Sequence, residues 1–396
     1  MSRNRLFLLS AILLVAALIQ PSAGQTLPPL HIQGRQLLDS KGKVVLLRGV
    51  NIGGWLVTES WMCGQRDDGG RKALEQLEKR FGPEKAAILM NAWQDNWITA
   101  ADLDIIQKYG CNLLRVPFSY RTLQDAAGNW RRDSRRNIDF ARMDWIVKEA
   151  QLRSMYVIFD LHVWPGDYHA ISRDTGEGKL ARAQMAALWT EVARHYRNVP
   201  AIAAFDVTNE PEGSPGNILQ KAFYEAIRTQ DSQRLMVFES VAYPSIRGER
   251  WTNIIWSAHY PENSLKTGSV RERLEEFDRK EKISATANVR VPVFIGEMKA
   301  PADNAASATE LGKALNDRGW NWAVWTYKGV DNGGWASMNY GQSLKYNLTE
   351  DSYETILEKW TTGISSWRDR SKTGDLRETT WWIEGFGRAF RGETSK

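Results

Sequence analysis

Cysteine is nearly absent from this 396-residue chain: Cys63 and Cys111 are the only two. That excludes a small scaffold stapled by disulfides. Charge of one sign is also scarce. The 52 Lys and Arg against 47 Asp and Glu leave +5, which falls to +3 without Arg3 and Arg5. So small an excess argues against nucleic acid or an anionic membrane as partner, and the run Arg131, Arg132, Arg135, Arg136 reads as a solvated loop. The apolar run Leu6–Ile19 is too short to span a bilayer comfortably, and no other segment is long and apolar enough to cross one. No Gly-rich phosphate turn follows the first strand candidate, because Asn51-Ile-Gly-Gly-Trp is not GxGxxG. No histidine sits in a ligand-spaced cluster such as HxxEH. We therefore expect neither cofactor nor metal.

What is present begins with a leader. Arg3 and Arg5 form a basic stretch, Leu6 to Ile19 an apolar one, and Ser22-Ala-Gly24 a small-residue cleavage site. Residues 1–24 are thus expected to be a signal peptide cut near Gly24-Gln25, giving a secreted or periplasmic protein. With 42% apolar and 25% charged residues, the rest has the composition of an ordinary globular chain.

No internal repeat, low-complexity stretch or Ser/Pro linker divides the mature chain. Short β-rich apolar runs alternate with helical patterns, as in βα units around a parallel sheet. Eight strands are expected: Val44–Val50, Asn112–Val116, Met155–Phe159, Ile202–Val207, Leu235–Phe238, Asn253–Ser257, Pro292–Ile295 and Trp322–Trp325. Helices are expected at Ala101–Lys108, Met143–Leu152, Lys179–Tyr196 and Gly216–Thr229. Eight repeats over about 300 residues fit an α/β fold of the (β/α)8 TIM-barrel type, here over residues 25–360. An open doubly wound sheet is the runner-up. Residues 361–396, with Trp367, Trp381, Trp382 and Phe386, read as a C-terminal extension packed on the barrel.

The barrel orders the chemistry, since active sites in this fold gather at the C-terminal ends of the strands. Glu59 lies just past strand one, Arg115 in strand two, His162 past strand three and Asn209-Glu210 past strand four. His259-Tyr260 follows strand six, Glu297 follows strand seven, and Trp325 ends strand eight. Glu210 and Glu297, 87 residues apart, each leave a buried apolar run. Two such carboxyl groups are what glycosidic bond cleavage needs, one protonated to release the leaving oxygen and one ionised to attack the anomeric carbon.

Together the motifs LLRGVNIGGWLVTESWM, NLLRVPFSY, VIFDLH, VTNEP, VFIGEM and GWNWAVWTYK resemble glycoside hydrolase family five, a retaining family, over roughly Leu37–Trp360. The opening motif is similar to that of its exo-β-1,3-glucanase branch. The resemblance implies a (β/α)8 barrel with its acid/base on strand four and its nucleophile on strand seven. It also implies that Glu59 holds the terminal sugar. Where the family spaces His-x-Tyr, His259 and Tyr260 are adjacent here.

The expected roles follow. Glu210 is the acid/base and Glu297 the nucleophile, with Arg115 as the cation keeping Glu297 ionised. Asn209 meets the substrate 2-hydroxyl, while His162 and His259 bond substrate hydroxyls or steady the carboxylates. Tyr260 bonds the nucleophile, and Trp325 is a flat platform for a pyranose. Glu212 and Glu239 are rival carboxylates, the first lying past Pro211 and the second lacking a matching motif. The reading is a secreted retaining β-glycosidase that hydrolyses a β-glucan, β-1,3 or β-1,4 linked, so its partner is a β-linked oligo- or polysaccharide. A mannan- or glycolipid-directed glycosidase and an inactive sugar-binding barrel are the alternatives. Cys63 and Cys111, at opposite ends of the barrel, are expected to stay unbridged.

Overall fold

The computed structural model describes residues 26–63, 65–66, 73–167, 169–211, 216–239, 251–259, 270–272, 274–275, 278–279, 291–300, 304–329, 338–339, 346–364, 377–378 and 380–393. Eight parallel strands close into a barrel. They are β1 (Arg48–Asn51), β2 (Leu113–Ser119), β3 (Tyr156–Val163), β4 (Ile202–Asp206), β5 (Leu235–Glu239), β6 (Ile254–Ala258), β7 (Val293–Ile295) and β8 (Asn321–Val324). Each pairs with the next in sequence, and β8 returns to β1 through Trp322↔Arg48 and Val324↔Val50.

The strands are apolar because both of their faces are covered, as parallel strands require. Their polar members are therefore conspicuous. With side chains alternating between the two faces, Asp160 and His162 share one face of β3, and Phe159 lies on the other, against Tyr196 of the helical layer. On β4, Phe205 meets Trp189 outside, and Asp206 takes the opposite face. The polar face is the barrel interior.

The expectation for the first strand was misplaced by several residues. Strand pairing in the barrel begins at Arg48, whereas Val44 forms an antiparallel bridge to Leu38 and so belongs to the hairpin before the barrel. The other seven strands fall where the apolar runs put them, with β3 continuing through His162 to Val163.

Helices cover the strands: α1 (Ala73–Phe81), α2 (Pro83–Trp97), α3 (Ala100–Tyr109), α4 (Ala141–Leu152), α5 (Gly176–Tyr196), α6 (Gly216–Arg228), α7 (Ala305–Asp317) and α8 (Thr380–Phe390). Their starts carry the expected signals. Thr99 and Asp102 form a capping box on α3, Pro83 opens α2, and the Thr175 and Asn304 side chains accept backbone N–H groups of α5 and α7.

Within the stretch expected as a C-terminal extension, α8 packs along α7 and also touches α3. Its Phe390 stacks on Trp322 of β8 at 4.8 Å. We read α8 as the helix that completes the barrel's outer ring after β8. Trp367 lies outside the described residues, as does the proposed leader. Among the described residues no helix is long and apolar enough to cross a membrane. Cys63 and Cys111 are both buried and form no disulfide.

Candidate active site

Arg115 is the centre around which the C-terminal end of the barrel is built. It is fully buried, and a buried guanidinium is tolerable only when its donors are matched. Its Nε donates to Asp206 at 2.9 Å, and one terminal nitrogen donates to Asn51 at 2.9 Å and Glu297 at 2.7 Å. The other donates to Asn209 at 2.9 Å and lies 3.1 Å from Asp160. Burial opposes its charge most strongly, but Asp160, Asp206 and Glu297 together raise it above the ordinary arginine value. Asn51, in register with Arg115 across β1 and β2, anchors the far side by donating to the carbonyl oxygen of Gly296 at 2.9 Å. The residue before Glu297 is thereby fixed to the first strand.

His162 sits beside this cluster. Its Nδ1 is 2.8 Å from Asp160, while its Nε2 is 3.5 Å from both Glu59 and the Asn209 amide. Burial pushes its pKa down, but Asp160 foremost, with Glu59 and Glu297, outweighs this and carries it up to about 10. Trp325 lies parallel to the His162 ring, with centroids 5.5 Å apart and only 4% of its surface exposed.

Glu59 reaches the site because the loop before it is nailed down. Gly53 and Gly54 give their carbonyl oxygens to the indole N–H groups of Trp97 and Trp93, at 3.0 and 2.6 Å. Gly54 has φ +77° and lies against the Trp97 ring, so only glycine fits there.

The far side is a second cluster around His259. Its Nδ1 lies 3.0 Å from Glu210 and 3.6 Å from Glu297, and its Nε2 lies 3.3 Å from Glu239. That last contact is an ion-pair distance off the line of a hydrogen bond. Burial again works against the charge, but Glu239 and Glu297, with the bond to Glu210, carry the pKa up to about 9. Carboxylate oxygens of Glu210 and Glu297 lie within 4.8 Å of one another.

Eight of the nine residues given roles in the sequence meet at this barrel end: Glu59, Arg115, His162, Asn209, Glu210, His259, Glu297 and Trp325. Tyr260 lies outside the described residues, as does Glu212. Sequence reasoning missed Asn51, Asp160 and Asp206, and set Glu239 aside for want of a motif. Glu239 is buried at the end of β5 and faces His259 and Glu210. A signal existed: a carboxylate inside or closing a wholly apolar strand must find a partner in the interior.

Among the described residues, two groups of three, Asp160 with His162 and Glu297, and Glu210 with His259 and Glu297, each bring donor atoms within 4.8 Å. Their negative charge is already matched by protein cations, Arg115 in the first and the two raised histidines. From Glu59 and Glu210 a cleft of about 1590 Å³ opens past Trp164, Tyr120, Trp145 and Arg132.

The sequence model described as Cellulase (glycosyl hydrolase family 5) matches residues 75–331. The chain belongs to glycosyl hydrolase family 5 and is a glycoside hydrolase. It is 24% identical over 352 residues to a β-xylosidase of Phanerodontia chrysosporium, covering 76% of this chain and 71% of that one. It is 26% identical over 334 residues to a probable glucan 1,3-β-glucosidase A of Aspergillus niger, covering 78% and 76% respectively. Among solved structures, an endogalactoceramidase superposes with a TM-score of 0.56 at 16% identity, over 85% of each chain. A β-glucanase of Saccharophagus degradans in complex with cellotetraose gives 0.53 at 14% identity, over 88% and 96%. These two likenesses concern the fold.

Proposed function

We propose that this protein is a secreted retaining β-glycosidase acting on a β-linked glucan, with Glu297 as nucleophile and Glu210 as acid/base. The observation that carries the reading is the opposition of two unlike carboxylates. Glu297 is bonded to the buried Arg115 at 2.7 Å, and Glu210 faces it with oxygens within 4.8 Å. That closeness suits the separation of about 5–5.5 Å in retaining enzymes, not the 6.5–9.5 Å that leaves room for a water in inverting ones.

In the first step a Glu297 oxygen bonds to the anomeric carbon as the glycosidic C–O bond breaks, and Glu210 gives its proton to the leaving oxygen. In the second, Glu210 takes a proton from water, whose oxygen displaces Glu297 from the sugar and returns the nucleophile as a carboxylate. Arg115 stabilises the carboxylate leaving group of this second step. Asn209, held by Arg115, is available to the 2-hydroxyl, and His162 and Glu59 to further hydroxyls.

A polymeric substrate is supported by the size of the cleft, beyond the about 300–1,000 Å³ of ordinary small-ligand sites. A glucan is supported by the relative from Aspergillus niger and by the major extracellular endoglucanase of Xanthomonas campestris, 29% identical over 53% of this chain and 38% of that one. Secretion is supported by the basic, apolar and small-residue pattern of residues 1–24.

The test is digestion of β-1,3-, β-1,4- and β-1,6-glucans, mannan and aryl β-xylosides, with the first-formed anomer read by NMR. Release of the β-anomer from a glucan is the expected outcome. First release of the α-anomer contradicts retention, and turnover confined to xylosides or mannan moves the substrate class.

A further inference from the structure

We propose that Glu239 is a third working glutamate of this site, a positioning residue that ties Glu210 and His259 together and keeps the proton on the histidine that bonds Glu210. The proposal rests on the acid/base reading of Glu210. Glu239 is 6% exposed, at the end of β5. Its Oε2 accepts the backbone N–H of Glu210 at 2.8 Å. Glu210 has φ +42°, in the left-handed region that non-glycine residues rarely adopt. A residue in that conformation persists only where its surroundings hold it, and the Glu239 carboxylate is the group that takes its N–H.

The same Oε2 lies 3.3 Å from His259 Nε2, and the other ring nitrogen reaches the Glu210 side chain at 3.0 Å. Glu210 is thus gripped at both ends by one carboxylate, directly through its backbone and through the imidazole at its tip. Gly296 lets the ring lie close to β7, since a Cβ there would sit 2.8 Å from His259 Nε2. The charged groups facing His259 are Glu239, Glu297, Glu210 and Arg115, with Asp206 deeper in the barrel. Those facing Glu239 are His259, Glu210 and Asp206.

Burial, reinforced by Glu210 and Asp206 and opposed by His259, lifts the Glu239 pKa to about 8. Glu239 is therefore neutral at low pH and gains its negative charge on the alkaline side. A negative charge beside an acid raises that acid's pKa. Ionised Glu239 then keeps the proton on His259, the ring that bonds the Glu210 side chain, to higher pH than the ring would otherwise hold it.

The experiment compares the full wild-type chain with Glu239→Gln and Glu239→Ala. The histidine rings, assigned with a His259→Asn variant, are titrated by NMR without substrate. Rates are measured against pH on a β-glucan oligosaccharide and on a dinitrophenyl β-glycoside, whose leaving group hardly needs a proton. Glu239→Gln keeps an oxygen for the Glu210 N–H but cannot ionise. It should lower the His259 midpoint by about one pH unit and move the alkaline limb of kcat/KM the same way. Glu239→Ala removes the acceptor. It should cost about 10²-fold on the oligosaccharide and far less in glycosylation by the dinitrophenyl substrate.

An unmoved His259 midpoint in Glu239→Gln, or equal losses on both substrates in Glu239→Ala, overturns the proposal. Should the wild type turn over no β-glycoside, the functional reading fails, and the His259 midpoint still decides whether Glu239 governs this histidine.

Discussion

Arg115 shows how one residue links stability to chemistry in this protein. Its guanidinium lies beside three carboxylates, Asp160, Asp206 and Glu297, and bonds to the side-chain oxygens of Asn51 and Asn209. Replacing it with methionine leaves buried negative charge without a partner, a change that costs about 3–5 kcal/mol. Arg115→Lys returns the charge but not the planar fork, so it cannot hold Asp206, Glu297 and Asn209 at once. We expect Arg115→Met to lower the urea midpoint sharply and Arg115→Lys to recover part of that stability without recovering kcat. An Arg115→Met protein that unfolds at the wild-type midpoint would show that the cluster is not paired as described.

The residue scale is also where sequence was most and least informative. Glu210 and Glu297 stood out because each closes an apolar run next to a distinctive neighbour, Asn209 and Gly296. Glu239 closes Leu235-Met-Val-Phe in the same way. Its importance depends on meeting His259 and the Glu210 backbone, contacts across three strand ends that no local spacing encodes.

At the scale of elements, the strands were legible because a parallel strand covered on both faces must be apolar throughout, and such runs are few. The first strand was misjudged because Val44 and Val45 are equally apolar but belong to the preceding hairpin. The aromatic pattern of the last stretch pointed to packing on the barrel but not to the elements α8 meets, since Trp322 and Gly312 lie more than 60 residues away in sequence.

That contact carries its own prediction. A Cβ on Gly385 of α8 would sit 2.4 Å from the Ala308 Cβ of α7 and 2.7 Å from the Ala305 carbonyl oxygen. Helix propensity alone would make Gly385→Ala stabilising by about 1 kcal/mol. Overpacking against a backbone oxygen that cannot yield works the other way, by about 1–3 kcal/mol. The steric cost should win, so Gly385→Ala is expected to lower the thermal midpoint while leaving kcat/KM of the folded fraction intact. A stabilised Gly385→Ala protein would mean that α7 and α8 do not approach this closely.

For the molecule as a whole, closing the barrel is what turns scattered polar residues into a site. Glu59 and Trp325 are separated by most of the chain, yet both lie against His162. The same closure sets Glu297 against a permanent cation and Glu210 against a titratable histidine, and that asymmetry underlies the assignment of nucleophile and acid. The most direct test uses azide with a dinitrophenyl β-glycoside. In Glu210→Ala the nucleophile remains, the covalent adduct forms and stalls without its base, and azide, which needs none, should release a β-glycosyl azide. In Glu297→Ala azide can enter only from the vacated face and should give the α-product. An α-azide from the Glu210 variant together with a β-azide from the Glu297 variant would show that the two roles are the reverse of those assigned.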